Sequence, residues 1–289
     1  MRTSTYISGW HRLAASEPWI RLPAAPWSHI EPLLATARVA LWPLAVEARG
    51  RRGADAPLVD DATLDALGRA ASDERQCLPL LDHAGPEAGR WWSERPLGPA
   101  PVPAPSSGRT PLPLDSDGWA SIAQGYGEAA ARLMGAGVSR ALLGVDEDGL
   151  LASTLSPRAN PGRSFDERLE PVLAIVRTVR EAGVELGVAL TVEELCPSGL
   201  DATGGIAAAR ALVEAGAHLI VASGGSEALP VLKHRTGAKG PDDVWLASAA
   251  WLVGKVQVPV LAQGPCPDPA RARRSARALG IAGVVELRG

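Results

Sequence analysis

Eight short apolar runs, separated by stretches of helical periodicity, constrain this chain more than any other feature. They are Ile20–Ala24, Val39–Val46, Gln76–Leu81, Ala141–Val145, Glu185–Thr191, His218–Ala222, Val258–Ala262 and Gly283–Leu287. Most are apolar along their whole length, as parallel strands become when helices cover both faces of their sheet. The intervening stretches carry helix signals. Ser164 and Glu167 form a capping box, after which Phe165, Leu169, Val172, Val176 and Val179 mark one apolar face. Trp119, Ile122, Tyr126, Ala130 and Leu133 do the same for an earlier helix that Gly135 or Gly137 can end. Asp268 and Pro269 read as an N-cap and first-turn pair before Ala270–Leu279. Strict alternation of this kind predicts an α/β fold, a (β/α)8 TIM barrel. A doubly wound sheet is the competing arrangement, disfavoured because no Gly-rich phosphate loop follows the first run.

The 289 residues suit one such barrel, and no domain boundary is visible. The Pro- and Gly-rich stretch 82–117 reads as an elaborated loop after the third strand rather than a linker. Only Arg288 and Gly289 follow the eighth strand, so the final helix of the barrel is expected to be missing. The outer flank around Val284 or Val285 then needs a cover. The candidates are the segment Met1–Trp19, with Tyr6, Ile7 and Trp10, or another subunit, which makes a homo-oligomer or partner subunit an expectation. Twenty-nine basic against 32 acidic residues, with no basic stripe, argue against a nucleic-acid partner. No apolar run reaches the ~18 residues of a membrane span, and Met1–Trp19 does not resemble a signal peptide. Three scattered cysteines, Cys77, Cys196 and Cys266, do not make a disulfide framework, and a cytoplasmic protein is expected.

Barrel chemistry sits at the C-terminal ends of the strands. There the third run ends in Asp82-His83-Ala84-Gly85, the fourth enters Asp146-Glu147-Asp148-Gly149, the sixth ends in Ser223-Gly224-Gly225, and the seventh in Gln263-Gly264-Pro265-Cys266. His83, Asp146 and Asp148 are the catalytic candidates, because an imidazole facing a carboxylate can move protons. Asp146-Glu147-Asp148 is also the composition of a solvated acidic turn, and His83 of a structural cap. No ligand spacing points to a metal. Cys196 and Cys266 lack a sequence-local histidine, Trp91-Trp92 can simply pin a loop, and Lys233-His234-Arg235 can be a solvated cluster. Gly224 and Gly264 would allow the close backbone approach that a phosphate needs, or serve ordinary turn geometry.

The order of motifs resembles the Old Yellow Enzyme family of FMN-dependent NAD(P)H oxidoreductases almost end to end. Arg21-Leu22-Pro23-Ala24-Ala25-Pro26-Trp27 resembles its first-strand N-R-I-V-x-A-P-M, and Leu80-Leu81-Asp82-His83-Ala84-Gly85 its Q-L-x-H-x-G. The stretch from Gly149 through Leu155-Ser156-Pro157-Arg158-Ala159-Asn160 is similar to G-Y-L-x-x-x-F-L-S-P-x-x-N, and Ser164-Phe165-Asp166-Glu167-Arg168 stands where S-x-E-N-R follows. Leu212–Ile220 also resembles the family's sixth helix-to-strand segment. Among subgroups, the reductase-like halves of salicylyl-CoA and anthraniloyl-CoA hydroxylases are the most similar. The resemblance implies a barrel with FMN over its mouth, where Pro26, Gly224 and Gly264 would contact the cofactor.

Departures fall on the chemistry that the resemblance implies. The substrate-binding pair corresponds to Val145 and Asp148, the flavin-bonding glutamine to Leu80, the flavin-facing arginine to Ala189, and the methionine after Ala-Pro to Trp27. The closing glycine-arginine phosphate segment is reduced to Leu287-Arg288-Gly289. Each lost polar contact would cost about 1–3 kcal/mol of flavin binding. The expectation is therefore a barrel that binds no cofactor. It would perform cofactor-free acid–base or addition chemistry on a small-molecule carbonyl or thioester ligand, or serve as an accessory subunit of a biosynthetic assembly. The alternative is a divergent FMN-dependent NAD(P)H oxidoreductase of the ene-reductase type.

Overall fold

A computed structural model describes residues 9–15, 18–34, 37–70, 76–88, 94–225, 244–266 and 268–287. Eight parallel strands close into a barrel: β1 (Trp19–Arg21), β2 (Val39–Ala45), β3 (Gln76–Asp82), β6 (Arg140–Val145), β7 (Glu185–Glu193), β8 (Ile220–Gly224), β9 (Val260–Gly264) and β10 (Gly283–Leu287). All eight expected runs are strands of this barrel. The first is shorter than its apolar run, ending at Arg21, where Pro23 follows and has no N–H to continue the ladder. Between β3 and β6, the described residues of the expected loop carry a 3-10 turn (Gly85–Glu87) and a two-residue ladder, β4 (Leu97–Gly98) beside β5 (Leu112–Pro113).

Helices cover the barrel as their capping residues dictate. Asp115 accepts from Gly118 N (2.8 Å) at the start of α4 (Ser116–Gly135), which buries Ile122, Tyr126, Ala130 and Leu133. The capping box of α6 (Phe165–Glu181) forms in both directions, Glu167 N to Ser164 Oγ (3.3 Å) and Ser164 N to Glu167 Oε2 (2.8 Å). Asp268 caps α9 (Pro269–Ala278) through Arg271 N at 2.9 Å. The rest of the outer layer is α2 (Trp27–Leu34), α3 (Asp61–Ala70), α5 (Leu150–Leu155), α7 (Ala202–Glu214) and α8 (Val244–Ala250).

The barrel interior is a second core, separate from the layer under the helices. Val39, Leu41, Leu78, Leu80, Leu142, Ala189, Leu219, Val221, Leu261 and Val285 fill it from alternate positions of the strands. Its floor is closed by α1 (Gly9–Ala14), which inserts Trp10, Leu13 and Ala14 against Trp19. Trp19 Nε1 donates to Leu13 O at 3.1 Å and so ties the plug to β1.

This placement corrects the sequence reading of the N-terminal segment. Its described part plugs the barrel floor rather than covering β10, while Tyr6 and Ile7 lie outside the described residues. Val285 points inward, and Val284 belongs to the outer core shared with Ala272 and Ala276 of α9. Both valines are buried by this chain alone. Among the described residues, no helix is long and apolar enough to cross a membrane.

Candidate functional site

Side chains alternate along a strand, so the residues two positions beyond the apolar interior must also face the barrel axis. At the C-terminal end, this rule converts the lining from apolar to charged. Trp19 is followed inward by Arg21, Leu80 by Asp82, Leu142 by Gly144 and then Asp146, and Leu261 by Gln263. All four polar residues are buried: Arg21 3% exposed, Asp82 4%, Asp146 0% and Gln263 1%.

They form one network. Asp146 Oδ2 accepts from Arg21 Nη1 and from Gln263 Nε2, the latter at 3.0 Å. Arg21 Nη2 lies 3.1 Å from Glu147 Oε2. Arg52, from the segment after β2, donates from Nε to Asp82 Oδ2 (3.0 Å) and from Nη1 to Glu147 O (3.1 Å). Burial works against the Arg21 charge, but Asp146 and Glu147 outweigh it and raise its pKa above the usual value. Burial likewise opposes Arg52, and Asp82 and Glu147 raise it further. Burial pushes the Glu147 carboxyl up, against the pull of Arg21 and Arg52. Five buried polar atoms of this layer have no hydrogen-bond partner among the described residues: Arg21 Nη2, Arg52 Nη2, Asp82 Oδ1, Asp146 Oδ1 and Gln263 Oε1.

The acidic turn distributes its three carboxylates in three directions. Glu147 (φ 53°) and Asp148 (φ 52°) are both left-handed, which costs non-glycine residues about 1–3 kcal/mol each. Asp146 points into the barrel, Glu147 stays at the rim, and Asp148 turns outward, where its Oδ1 accepts from Arg158 Nη2 at 3.0 Å. The same nitrogen reaches Glu194 Oε1 at 3.2 Å, and Glu194 also accepts from Ser156 Oγ (2.7 Å) and Leu200 N.

The expected pairing of His83 with Asp148 does not form. His83 is 1% exposed, with Nε2 3.0 Å from Glu47 Oε1 and Nδ1 accepting from Gly85 N at 3.0 Å. Both ring nitrogens are therefore engaged locally. The hydrogen bond from His83 holds the Glu47 carboxyl below its usual range. Gly50 makes room for the ring, since a Cβ there would come within 2.6 Å of it.

Of the cofactor candidates, Gly224 and Gly264 meet side chains of α8. A Cβ at Gly224 would overlap Ser248, and one at Gly264 would overlap Trp245. Pro26 lies at the entrance to α2, where its carbonyl accepts from His29 N at 3.0 Å. The side chain of Trp27, and Trp91, Trp92, Lys233, His234, Arg235 and Arg288, fall outside the described residues. Leu80 and Ala189, aligned with the flavin contacts, are fully buried in the apolar interior.

Arg21, Arg52, Glu147 and Gln263 were not among the candidate site residues of the sequence. Inward parity from Trp19 and Leu261 identifies Arg21 and Gln263 once the barrel phase is fixed. Nothing local marks Arg52, which reaches the site from a loop.

No family model and no curated protein matches the sequence. Solved structures do share the fold. 2-Naphthoyl-CoA reductase in complex with 2-naphthoyl-CoA superposes with a TM-score of 0.74 at 14% identity, over 95% of this chain and 46% of that one. Morphinone reductase in complex with tetrahydroNAD gives 0.74 at 15% identity, over 93% of this chain and 82% of that one. The 6-hydroxypseudooxynicotine amine oxidase of Pseudomonas geniculata N1 gives 0.74 at 18%, over 93% and 44%. The chain thus spans less than half the length of the first and third of these proteins.

These neighbours overturn the expectation that the barrel binds no cofactor. They are reductases and an amine oxidase, and such reactions take a hydride carrier that no side chain can replace. The physical reason for the error lies in the mouth. The cation absent at Ala189 does not leave this layer without positive charge, because Arg21 and Arg52 bring two guanidiniums to it from other parts of the chain. The fold is a closed (β/α)8 barrel of the Old Yellow Enzyme type.

Proposed function

We propose that this chain is an FMN-dependent, nicotinamide-linked oxidoreductase acting on a small organic substrate at the C-terminal mouth of the barrel. One observation carries the reading: the interior changes within one residue pair per strand from an apolar core to a buried charged layer with open hydrogen-bonding atoms. Buried polar atoms are almost always satisfied, so a cluster of unpartnered ones in a barrel mouth marks a ligand site.

The residues present fit a flavin on its electron-rich side. Arg52 Nη2 has no hydrogen-bond partner among the described residues and Arg21 Nη2 is turned only to Glu147, at 3.1 Å, so the two guanidiniums are suited to hold the ring carbonyls. Bound there, FMN would supply hydride transfer. The protein's own contributions are positioning and proton handling. Asp146, itself held by Gln263, fixes the Arg21 guanidinium, and Asp82 fixes Arg52. Beneath them, Leu80, Leu142 and Ala189 exclude water from the interior. Glu147 Oε2, raised above the usual carboxyl range by burial, holds its proton to higher pH than an ordinary glutamate and is the group that gives or takes one at the rim.

The visible spectrum of the purified protein, before and after incubation with FMN, tests this reading. Flavin absorbance that co-elutes with the protein, and its loss in Arg21→Met, are expected. A colourless wild-type protein that takes up no FMN overturns the proposal.

A further inference from the structure

The unpartnered atoms of the mouth are not evenly divided between donors and acceptors. Among the described residues two are guanidinium nitrogens, of which Arg21 Nη2 is turned to Glu147, and three are oxygens: Asp82 Oδ1, Asp146 Oδ1 and Gln263 Oε1. The charges lean the same way. Asp82, Asp146 and Glu147 face Arg21 and Arg52, and the four other charged groups all act on Glu147 electrostatically. Among the described residues of the layer, three carboxylates stand against two guanidiniums, an excess of one acidic group where the aspartates are nearly inaccessible to solvent.

Such an arrangement is costly without a compensating group, because a buried carboxylate oxygen with no donor forfeits its hydration. The Gln263 amide gives evidence independent of the acids. Its Nε2 is committed to Asp146, so its Oε1 is presented as a further acceptor beside that carboxylate, at 1% exposure. An amide oxygen and a carboxylate oxygen that each lack a donor among the described residues call for a ligand that brings N–H groups and positive charge. A carboxylate or phosphate ester ligand would meet the same oxygens repulsively.

We infer that the substrate of this site is a cationic nitrogen compound, an ammonium or iminium whose N–H groups are received by Asp146 Oδ1, Gln263 Oε1 and Asp82 Oδ1. The inference names the substrate class of the mouth assigned above and rests on that assignment. The guanidiniums of Arg21 and Arg52 remain for the cofactor, so the two ligands draw on different groups of one layer.

Calorimetry at neutral pH with benzylamine, benzyl alcohol and benzoate separates charge from shape, since the three share a ring and differ in the head group. The titrations are made on the protein as purified and again after FMN addition, so they read amine binding whether or not flavin is retained. Benzylammonium is expected to bind at least tenfold more tightly than either of the others. Asp146→Asn and Asp82→Asn should each weaken it about tenfold, as about 1.4 kcal/mol corresponds to, while leaving benzyl alcohol unchanged. If Asp146→Asn fails to fold because Arg21 loses its partner, Asp82→Asn decides alone. Preference for benzoate, equal binding of all three, or no benzylammonium binding overturns the inference, whereas a colourless protein that still selects benzylammonium overturns only the flavin reading.

Discussion

The two ends of this barrel are built from the same strands and differ in almost every physical respect. At the floor, Trp10 and Trp19 close an apolar interior with one internal hydrogen bond to a backbone carbonyl. At the mouth, the same alternating positions carry Arg21, Asp82 and Gln263, with open donors and acceptors. Among the described residues the floor leaves one buried donor, Trp10 Nε1, without a partner, against five such atoms at the mouth. Among the described residues the mouth is paired only in part, and both aspartates there keep one oxygen without a hydrogen-bond partner. Stability in such a barrel is concentrated at one end, and ligand binding at the other.

Substitutions can break this contrast. The largest effect is expected for Trp10→Ala, which opens a cavity under the barrel and should cost about 3–5 kcal/mol in denaturant unfolding. The ligand preferences of the mouth should survive in the folded fraction. An Arg21→Met change, measured the same way, should cost about 3 kcal/mol because it strands the buried Asp146 charge. Adding Asp146→Leu should restore most of that loss, as apolar replacement of a buried pair often does. A double variant no more stable than Arg21→Met would mean that the pair holds the mouth together beyond its own charges.

The smallest effect concerns Glu147 and depends on pH. Its carboxyl is raised by burial, so the stability tied to its neutral form is present below the ordinary carboxyl value and is lost as pH rises through the raised value. Glu147→Gln should therefore leave Tm unchanged in acid and raise it slightly at neutral and alkaline pH. A lower Tm for the variant at alkaline pH would show that the ion pair with Arg21 outweighs the burial.

The strand pattern could be read from the chain because hydrophobic runs and helix caps are local. Seven of the eight runs differ from the observed strands by at most two residues at either end, and the first was overextended by residues around Pro23. The capping box of α6 and the Asp268 cap of α9 formed as their residues require. The site was read less well. The residue types singled out His83 and the acidic turn, but not the partner each takes. A side chain's direction depends on backbone states such as the paired left-handed residues Glu147 and Asp148, which no residue type there announces.

Burial on both faces explains the deeper failure. In a strand with one wet face, the sequence itself tells inside from outside. In these strands both faces are apolar, so whether Leu80 or Leu81 looks into the barrel cannot be read from their identity. The sequence determined by itself that eight strands and their covering helices would form, because periodicity and capping act over a few residues. Only closure of the barrel decided that Arg21, Asp146 and Gln263, separated by 125 and 117 positions along the chain, would share one buried layer. The same closure brought Trp10 to the floor. Both depend on phase around the barrel, which is set by contacts among all eight strands at once and by no segment alone.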